Sequence, residues 1–444
     1  MSAPKLPDTP LAREAAGVCA RLRGAGHRAL LAGGCVRDLL MGAAPKDYDV
    51  ATDARPDRVQ ALFPKTVAVG AAFGVVVVVT EAGPVEVATF RAEGAYSDGR
   101  HPDSISFGDP EADAQRRDFT VNGLFLDPAG SGVVDYVGGL ADLEARTLRA
   151  IGDPGLRFRE DHLRLLRAAR FAGLLGFTVE AATAEAVRRD AALLATVSPE
   201  RIQQELSKML LSPRRAEALR ACDALGLLRI FLPEMETMKG VEQPPEFHPE
   251  GDVFLHTLLV MEHLPADASL TLALGGLLHD VAKPATFERA DRIRFNNHDR
   301  VGAEMTVRIL ERLKYPNAVK DRVEYLVAEH LRWKDTKQMR TATLKRFLAH
   351  DGFDELLALY VADCKGSHGK LDFYDFCVSK RAEFGEAQLK PARLLTGQDV
   401  MLLGVPAGPR IGEILRQAEE EQLEGRLLTR EDALAWLSRL VARA

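Results

Sequence analysis

A chain of 444 residues is long enough for several domains, each with its own buried core. Its 46% hydrophobic and 27% charged residues are ordinary for a soluble protein, and no apolar run approaches the ~18 residues a membrane span needs. The net charge of −6 excludes a wholesale cationic coat for nucleic acid. It leaves room for a local basic channel, because the field depends on where the charges sit.

The opening residues, M-S-A-P-K-L-P-D-T-P, show no charged-then-apolar pattern, so a secretory signal is not expected and the cytoplasm is. Five scattered cysteines (Cys19, Cys35, Cys222, Cys364, Cys377) lack C-x-x-C spacing and read as reduced thiols, not as a disulfide or zinc framework. The first strand signal is the apolar run Ala29 to Leu31. Gly33 and Gly34 follow it and can bring backbone N–H groups against a triphosphate at the start of the next helix. Asp47 and Asp49 alternate with Tyr48 and Val50, so on a strand both carboxylates face one side, where a hydrated Mg²⁺ can bridge them. Alone, G-G and D-x-D are weak signals; in this order they reinforce each other.

Val75 to Thr80 is a β-branched run, and Pro84 to Phe90 alternates cleanly, which predicts a hairpin. Glu86 on that second strand can add a third carboxylate to the aspartate pair, as two-metal phosphoryl transfer requires. On its own it reads as a solvated strand residue. The stretch R-R-D-F-T-V-N-G-L-F-L-D (116–127) predicts Arg116, Arg117, Asp118 and Asn122 around an apolar helical face, with Asp118 as a cap. From about residue 155 the pattern turns helical and runs to Gly176; Ser198 and Pro199 then predict a helix start. Residues 239–252 read as a linker or loop, followed by a histidine-rich helical block to about 377 and a helical tail.

The motifs G-G-x-V-R-D, D-x-D, V-E-V-A-T-F-R, Y-S-D-G-R-H-P, R-R-D-F-T-x-N, E-D-H-L-R-L-L-R-A-A-R-F and S-P-E-R-I occur in that order. Together they resemble the class II tRNA nucleotidyltransferases, the CCA-adding enzymes, and their relatives the bacterial poly(A) polymerases. The resemblance is dense over the first ~240 residues and looser through the tail, as in G-V-P-A-G-P-R-I-G at 404–412. It implies an α+β fold: a polymerase-β-like mixed sheet with helices (1–150), a helical neck binding nucleotide and RNA (151–240), an HD-type helical body (241–377) and a helical tail (378–444).

By the same resemblance Gly34 and Arg37, beside Gly33, hold the triphosphate, and Asp47, Asp49 and Glu86 hold Mg²⁺. Arg116 and Arg117 contact phosphate or sugar, in the R-R-D motif that continues through Asp118 to Asn122. Asp161 and Arg164, at i and i+3 on one helix face, read the base edge, with Glu160 steadying Arg164. Arg167 and Arg170 continue that face toward phosphate or the primer end, unless the run is simply a solvated basic face; His162 is expected at the surface.

Two marks favour CCA addition from CTP and ATP to tRNA over poly(A) synthesis, the alternative. The basic G-R-R-F-R-L motif of the poly(A) polymerases is replaced by V-A-V-G-A-A-F-G-V-V-V-V, without arginine, and the loop R-A-E-G-A-Y-S-D-G-R-H-P (91–102), part of which is absent in enzymes that add only cytidines, is kept. In the body, His256, the pair His279-Asp280 and Asp363 resemble the ligand set of HD-domain phosphohydrolases, which suits Mn²⁺, Ni²⁺, Co²⁺, Fe²⁺ or Mg²⁺. Lys283, His298 and His330 are then phosphate contacts or extra ligands. Different readings are a phosphohydrolase whose first domain only binds nucleotides, and a non-catalytic RNA-binding protein. Clustered carboxylates disfavour the latter, since RNA binding calls for basic groups. No feature of the sequence fixes an oligomeric state.

Overall fold

The computed structural model describes residues 4–68, 74–94, 96, 99–100, 104–130, 132–244 and 251–442. Parts of the V-A-V-G-A-A-F run, of the Y-S-D-G-R-H-P motif and of the 239–252 segment lie outside the described residues. The chain divides into two compact units, 1–233 and 234–444.

The first unit is built on a seven-stranded sheet in the spatial order Thr66–Val67, Val75–Thr80, Gly83–Thr89, Asp49–Thr52, Ala29–Ala32, Leu124–Asp127, Gly132–Asp135. The expected hairpin is present, with Val77 opposite Glu86 in antiparallel register. Asp49–Thr52 pairs with Gly83–Thr89 in parallel, which makes the sheet mixed and sets Asp49 beside Glu86. Leu30, Ala32, Ala51, Phe90, Ala114 and Phe125 form a buried cluster that anchors the centre of the sheet.

Two stretches depart from the helical expectation. Residues 116–127 are not a helix: the Pro110–Gln115 helix ends at Arg116, Thr120–Asn122 is a short 3₁₀ turn, and Leu124–Asp127 is a sheet strand. Leu124, Phe125 and Leu126 are consecutive buried residues of a sheet strand and do not line a helix face. The run from 155 to 176 is two helices, Pro154–Glu160 and Leu163–Leu175, not one. Asp161 caps the first in an extended conformation (φ −140°, ψ 107°), so it does not share a helix face with Arg164. The second helix ends at Gly176 in the left-handed region, as expected. Ser198 occupies the N-cap before Pro199, although its side chain makes no capping bond.

The second unit is helical apart from a small ribbon, Phe287–Arg289 with Ile293–Phe295. Asp252 caps the Val253–His263 helix through Leu255 N–H, and Ser269 caps Leu270–Leu278 through Leu272 N–H. Leu270–Leu278 is almost wholly buried, as an all-apolar helix should be. Its glycines set the spacing to its neighbours. A Cβ at Gly275 would lie 2.9 Å from Leu326 of Asn317–Glu329, and one at Gly276 would lie 3.0 Å from Leu264, just past Val253–His263. The contact of Gly275 with Leu326 lies one turn before His279 and His330, and so sets those two helix ends side by side. The tail closes over its own core of Leu395, Val400, Val405, Ile414, Leu427 and Leu437. Among the described residues no helix is long and apolar enough to cross a membrane.

Candidate functional site

Three carboxylates converge at one end of the sheet in the first unit. Asp49 begins its strand and neighbours Glu86 by register, while Asp47 sits just before the strand. Burial, with the nearby charges of Glu86 and Asp47, raises the Asp49 carboxyl to about 6; Arg117 only partly offsets them. Such a carboxylate group, short of positive charge, suits a hard divalent cation.

Gly33 precedes the Gly34–Leu40 helix at φ 73°, and its N–H donates to Leu124 O at 3.0 Å. A Cβ there would lie 2.8 Å from Arg117 Nη1 and 3.9 Å from Asp49 Oδ2, so only glycine fits both the backbone and the space. The carboxylates and glycines open into a cleft of about 1150 Å³ that is also lined by Arg37, Arg116, Arg117, Asp161, Arg164, Arg167 and Arg170. Every nucleotide-handling position singled out in the sequence of this unit lines it.

The guanidinium groups are held by buried carboxylates. Asp113 binds Arg116 Nε at 2.8 Å and Arg117 Nη2 at 2.9 Å. Asp118 accepts from Arg167 Nε at 2.8 Å, from Asn122 Nδ2 at 3.0 Å and from Phe119 N–H at 2.8 Å. Burial alone would raise its carboxyl, but Arg167 and Asn122 hold it well below the usual carboxylate range. Asn122 Oδ1 in turn accepts from Arg37 Nη1 at 2.6 Å, and Arg37 Nε donates to Asp38 at 2.9 Å. Arg170 donates to Glu205 at 2.5 Å, and Arg37, Arg167 and Arg170 all pack on the Phe171 ring. The basic run of the second helix is therefore no solvated face; its arginines are fixed in a charge network.

Arg164 is buried, and Glu160 steadies it at 2.5 Å, as expected; Arg157 O and Arg116 O accept from it at 3.1 and 2.9 Å. Asp161 is held by Arg201 at 2.9 Å and by Leu163 N–H at 3.1 Å. His162 is not a free surface residue: its N–H donates to Gly99 O at 3.1 Å and its ring contacts Thr196 at 2.7 Å. Sequence reasoning assigned no role to Asp113, Glu205 or Arg201. Asp113 is detectable, lying three and four residues before the arginine pair on a helix start, and Arg201 is the arginine of S-P-E-R-I.

In the second unit His256, His279, Asp280, His298, His330 and Asp363 come together, with His256, His279 and Asp363 in one group and Asp280, His298 and His330 in another. His256 Nε2 lies 3.0 Å from Asp363, and Lys283 Nζ lies 2.7 Å from Asp280 and 2.6 Å from Gln243, a partner with no signal in the sequence. Burial pushes the Asp280 carboxyl up, but His279 and Lys283 more than reverse this and hold it well below the usual range. Burial, together with His298 and His279, lowers His330 to about 4, so its imidazole is neutral. A smaller pocket of about 220 Å³ opens on Asp280, Lys283, Arg294, His298 and His330.

A mixed sheet with three carboxylates facing an arginine-lined cleft defines a nucleotidyltransferase of the polymerase type, joined here to a helical histidine–aspartate domain. Comparison with known families agrees. Residues 29–149 match the poly A polymerase head domain, 176–239 the probable RNA and SrmB-binding site of polymerase A, and 253–400 the HD domain. The A-adding tRNA nucleotidyltransferase of Deinococcus radiodurans is 37% identical over 433 residues, covering 93% of this chain and 95% of that protein. The CCA-adding enzyme of Geobacillus thermodenitrificans is 44% identical over 219 residues, 49% of this chain and 54% of that protein. The crystal structure of the Bacillus stearothermophilus CCA-adding enzyme in complex with CTP superimposes with a TM-score of 0.73 at 26% identity, covering 98% and 99% of the two chains. The chain belongs to the tRNA nucleotidyltransferase family.

Proposed function

We propose that this nucleotidyltransferase adds C-C-A to tRNA 3′ ends from CTP and ATP, without a nucleic-acid template, in the cytoplasm where tRNA is repaired. The observation that carries the reading is the Asp49–Glu86 register beside a cleft lined with arginine. The residues fit Mg²⁺: Asp47, Asp49 and Glu86 bring uncompensated negative charge to one place, as the raised Asp49 carboxyl reflects. A bound Mg²⁺ supplies positive charge where the triphosphate and the RNA 3′ hydroxyl meet.

The chain's own residues do the rest. Gly33 and Gly34 let the triphosphate approach the backbone, and Arg37, Arg116 and Arg117 neutralise it. Asp113 keeps Arg116 and Arg117 aimed, and Asp118 steadies Arg37 through Asn122, so little ordering remains when nucleotide binds. Arg167 and Arg170 face phosphate or the primer end. Asp161 and Arg164 offer an acceptor and a donor to the edge of cytosine or adenine. Asp161→Ala is expected to reduce the discrimination between CTP and ATP by about tenfold, since one lost hydrogen bond to a base is worth about 1–3 kcal/mol. Competition between labelled CTP and ATP on one tRNA measures it, and unchanged selectivity would remove Asp161 from that role.

The direct experiment gives the protein a tRNA lacking its last three nucleotides, with CTP, ATP and Mg²⁺, and resolves product length. Extension by C-C-A supports the proposal, and long oligo(A) products would favour a poly(A) polymerase. A second reading is addition of the terminal A alone, favoured because a relative that matches nearly the whole chain is an A-adding enzyme. Extension only of tRNA already ending in C-C would select it.

The histidine–aspartate cluster fits a divalent metal of the Mn²⁺, Fe²⁺, Co²⁺, Ni²⁺ or Mg²⁺ group, because the candidate ligand atoms of His256, His279 and Asp363, and those of Asp280, His298 and His330, each lie within 4.8 Å of one another. We assign it phosphoester hydrolysis on phosphorylated or 2′,3′-cyclic RNA ends, with Lys283 and Arg294 beside the pocket as phosphate contacts. His256→Ala is expected to lower phosphate release at least ~100-fold. Nucleotide addition by the same preparation should continue. Loss of both activities together would contradict two independent sites.

A further inference from the structure

We propose that Arg100 is a further contact for the polyphosphate of the nucleotide in the cleft of the first unit, and that His162 is the positioning residue that sets it there, through Gly99. The proposal rests on nucleotide addition in that cleft and adds two residues to those that handle the substrate.

The anchor is made of backbone and ring together. His162 stands at the N-cap of Leu163–Leu175, where N–H groups have no partner inside the helix. Its own N–H donates to Gly99 O at 3.1 Å, so a carbonyl from a distant segment caps this helix start. The ring closes on the same residue. A Cβ at Gly99 would lie 2.6 Å from His162 Nε2 and 2.8 Å from His162 Nδ1, and Gly99 has φ 70°. Backbone and space therefore both call for glycine. The ring is not free to swing away. Thr196 Oγ1 donates its one proton to Leu193 O at 2.8 Å, so it accepts from His162 Nδ1–H at 2.7 Å. The imidazole is held by Thr196, at the end of the Ala191–Thr196 turn, while its Cε1 edge presses on Gly99.

Pinning Gly99 decides where its neighbours emerge. Arg100 follows it directly and Tyr96 precedes it by three residues, and both line the cleft that also holds Gly33, Gly34, Arg37 and Asp47. Arg100 is exposed. Its guanidinium is a permanently charged, planar set of donors, which suits phosphate oxygens. With its backbone fixed next door at Gly99, the side chain has less freedom to lose when the ligand arrives; without the anchor that ordering would be taken from the binding energy. His162 itself touches no substrate in this arrangement and acts through Arg100.

The test is steady-state addition of AMP from ATP, with Mg²⁺, to a tRNA ending in C-C. It compares the parent protein with Arg100→Ala, His162→Ala and the double variant. Each single substitution should raise the KM for ATP about tenfold, the size of one charge-assisted hydrogen bond, and lower kcat by less than about threefold. The double variant should match Arg100→Ala alone, because nothing is then left for His162 to position. Effects that multiply in the double variant would overturn the positioning role, since a general loosening of the fold adds to any other defect. An unchanged KM in Arg100→Ala would overturn the phosphate contact. Gly99→Ala, which drives a methyl group into the ring, should reproduce the His162→Ala result, and a parent-like KM there would overturn the anchor; this variant decides the matter if His162→Ala does not fold. A parent protein that extends no tRNA would instead overturn the reading of nucleotide addition on which the proposal rests.

Discussion

Replacing Asp49 by alanine is expected to lower the rate of nucleotide addition at least ~10³-fold, about 4 kcal/mol of transition-state stabilisation, while the protein stays folded. Asp49 is fixed by the strand register next to Glu86. The loss should appear in kcat more than in the KM for nucleotide, because the arginines around the cleft are tethered by Asp113, Asp118 and Glu205 and remain in position. Stability should respond in the opposite sense. In the presence of chelator Asp49 is a half-buried carboxylate repelled by Glu86 and Asp47, so Asp49→Asn should melt no lower than the parent protein. Single-turnover extension of tRNA and a thermal melt with chelator check both halves. A variant that extends tRNA within tenfold of the parent, or melts well below it, would contradict the assignment.

The sites were legible where chemistry repeats along the chain and illegible where it depends on partners far away in sequence. The G-G turn and the Val75–Thr80 hairpin follow from local patterns, and the fold uses them as read, whereas of the D-x-D pair only Asp49 lies on a strand and Asp47 precedes it. Glu86 was ambiguous because a strand residue's neighbours depend on pairing. Only the parallel register with Asp49–Thr52 makes it a third carboxylate. The break at Asp161 and His162 was hidden because E-D-H-L continues a helical apolar period. Contacts with Arg201 and with Gly99 O accompany the extended turn there. Glu205 carries no local signal on the Pro199–Leu210 helix, yet it is almost fully buried against Arg170. In the second unit the order of the histidines pointed to a metal site, but which of them come together is a property of packed helix ends.

That dependence on distant partners makes Asp118→Ala the most damaging substitution expected for stability. Asp118 is 7% exposed and is held by Arg167, Asn122 and Phe119 N–H. Removing it leaves those donors without their acceptor. A fully buried pair broken from one side costs about 3–5 kcal/mol, and the partial exposure of Arg167 reduces this to about 2–4 kcal/mol here. For a unit of this size that corresponds to a fall of about 5–10 °C in its melting temperature. Calorimetry should show the fall. Fluorescence should report a smaller change, because both tryptophans, Trp333 and Trp436, lie in the second unit. The pH dependence follows from the sign of the shift. The Asp118 carboxyl sits below its unfolded value, so its contribution is complete at neutral pH and fades as the pH falls through and below the ordinary carboxylate range. The gap between parent and variant should therefore narrow in acid. Asp118→Asn keeps the shape but not the charge and should fall between the two. Nucleotide affinity should drop as well, since Asp118 positions Arg37 through Asn122. An alanine variant as stable as the parent at neutral pH would show that Arg167 finds another partner, and that the network is a surface feature and not a support of the cleft.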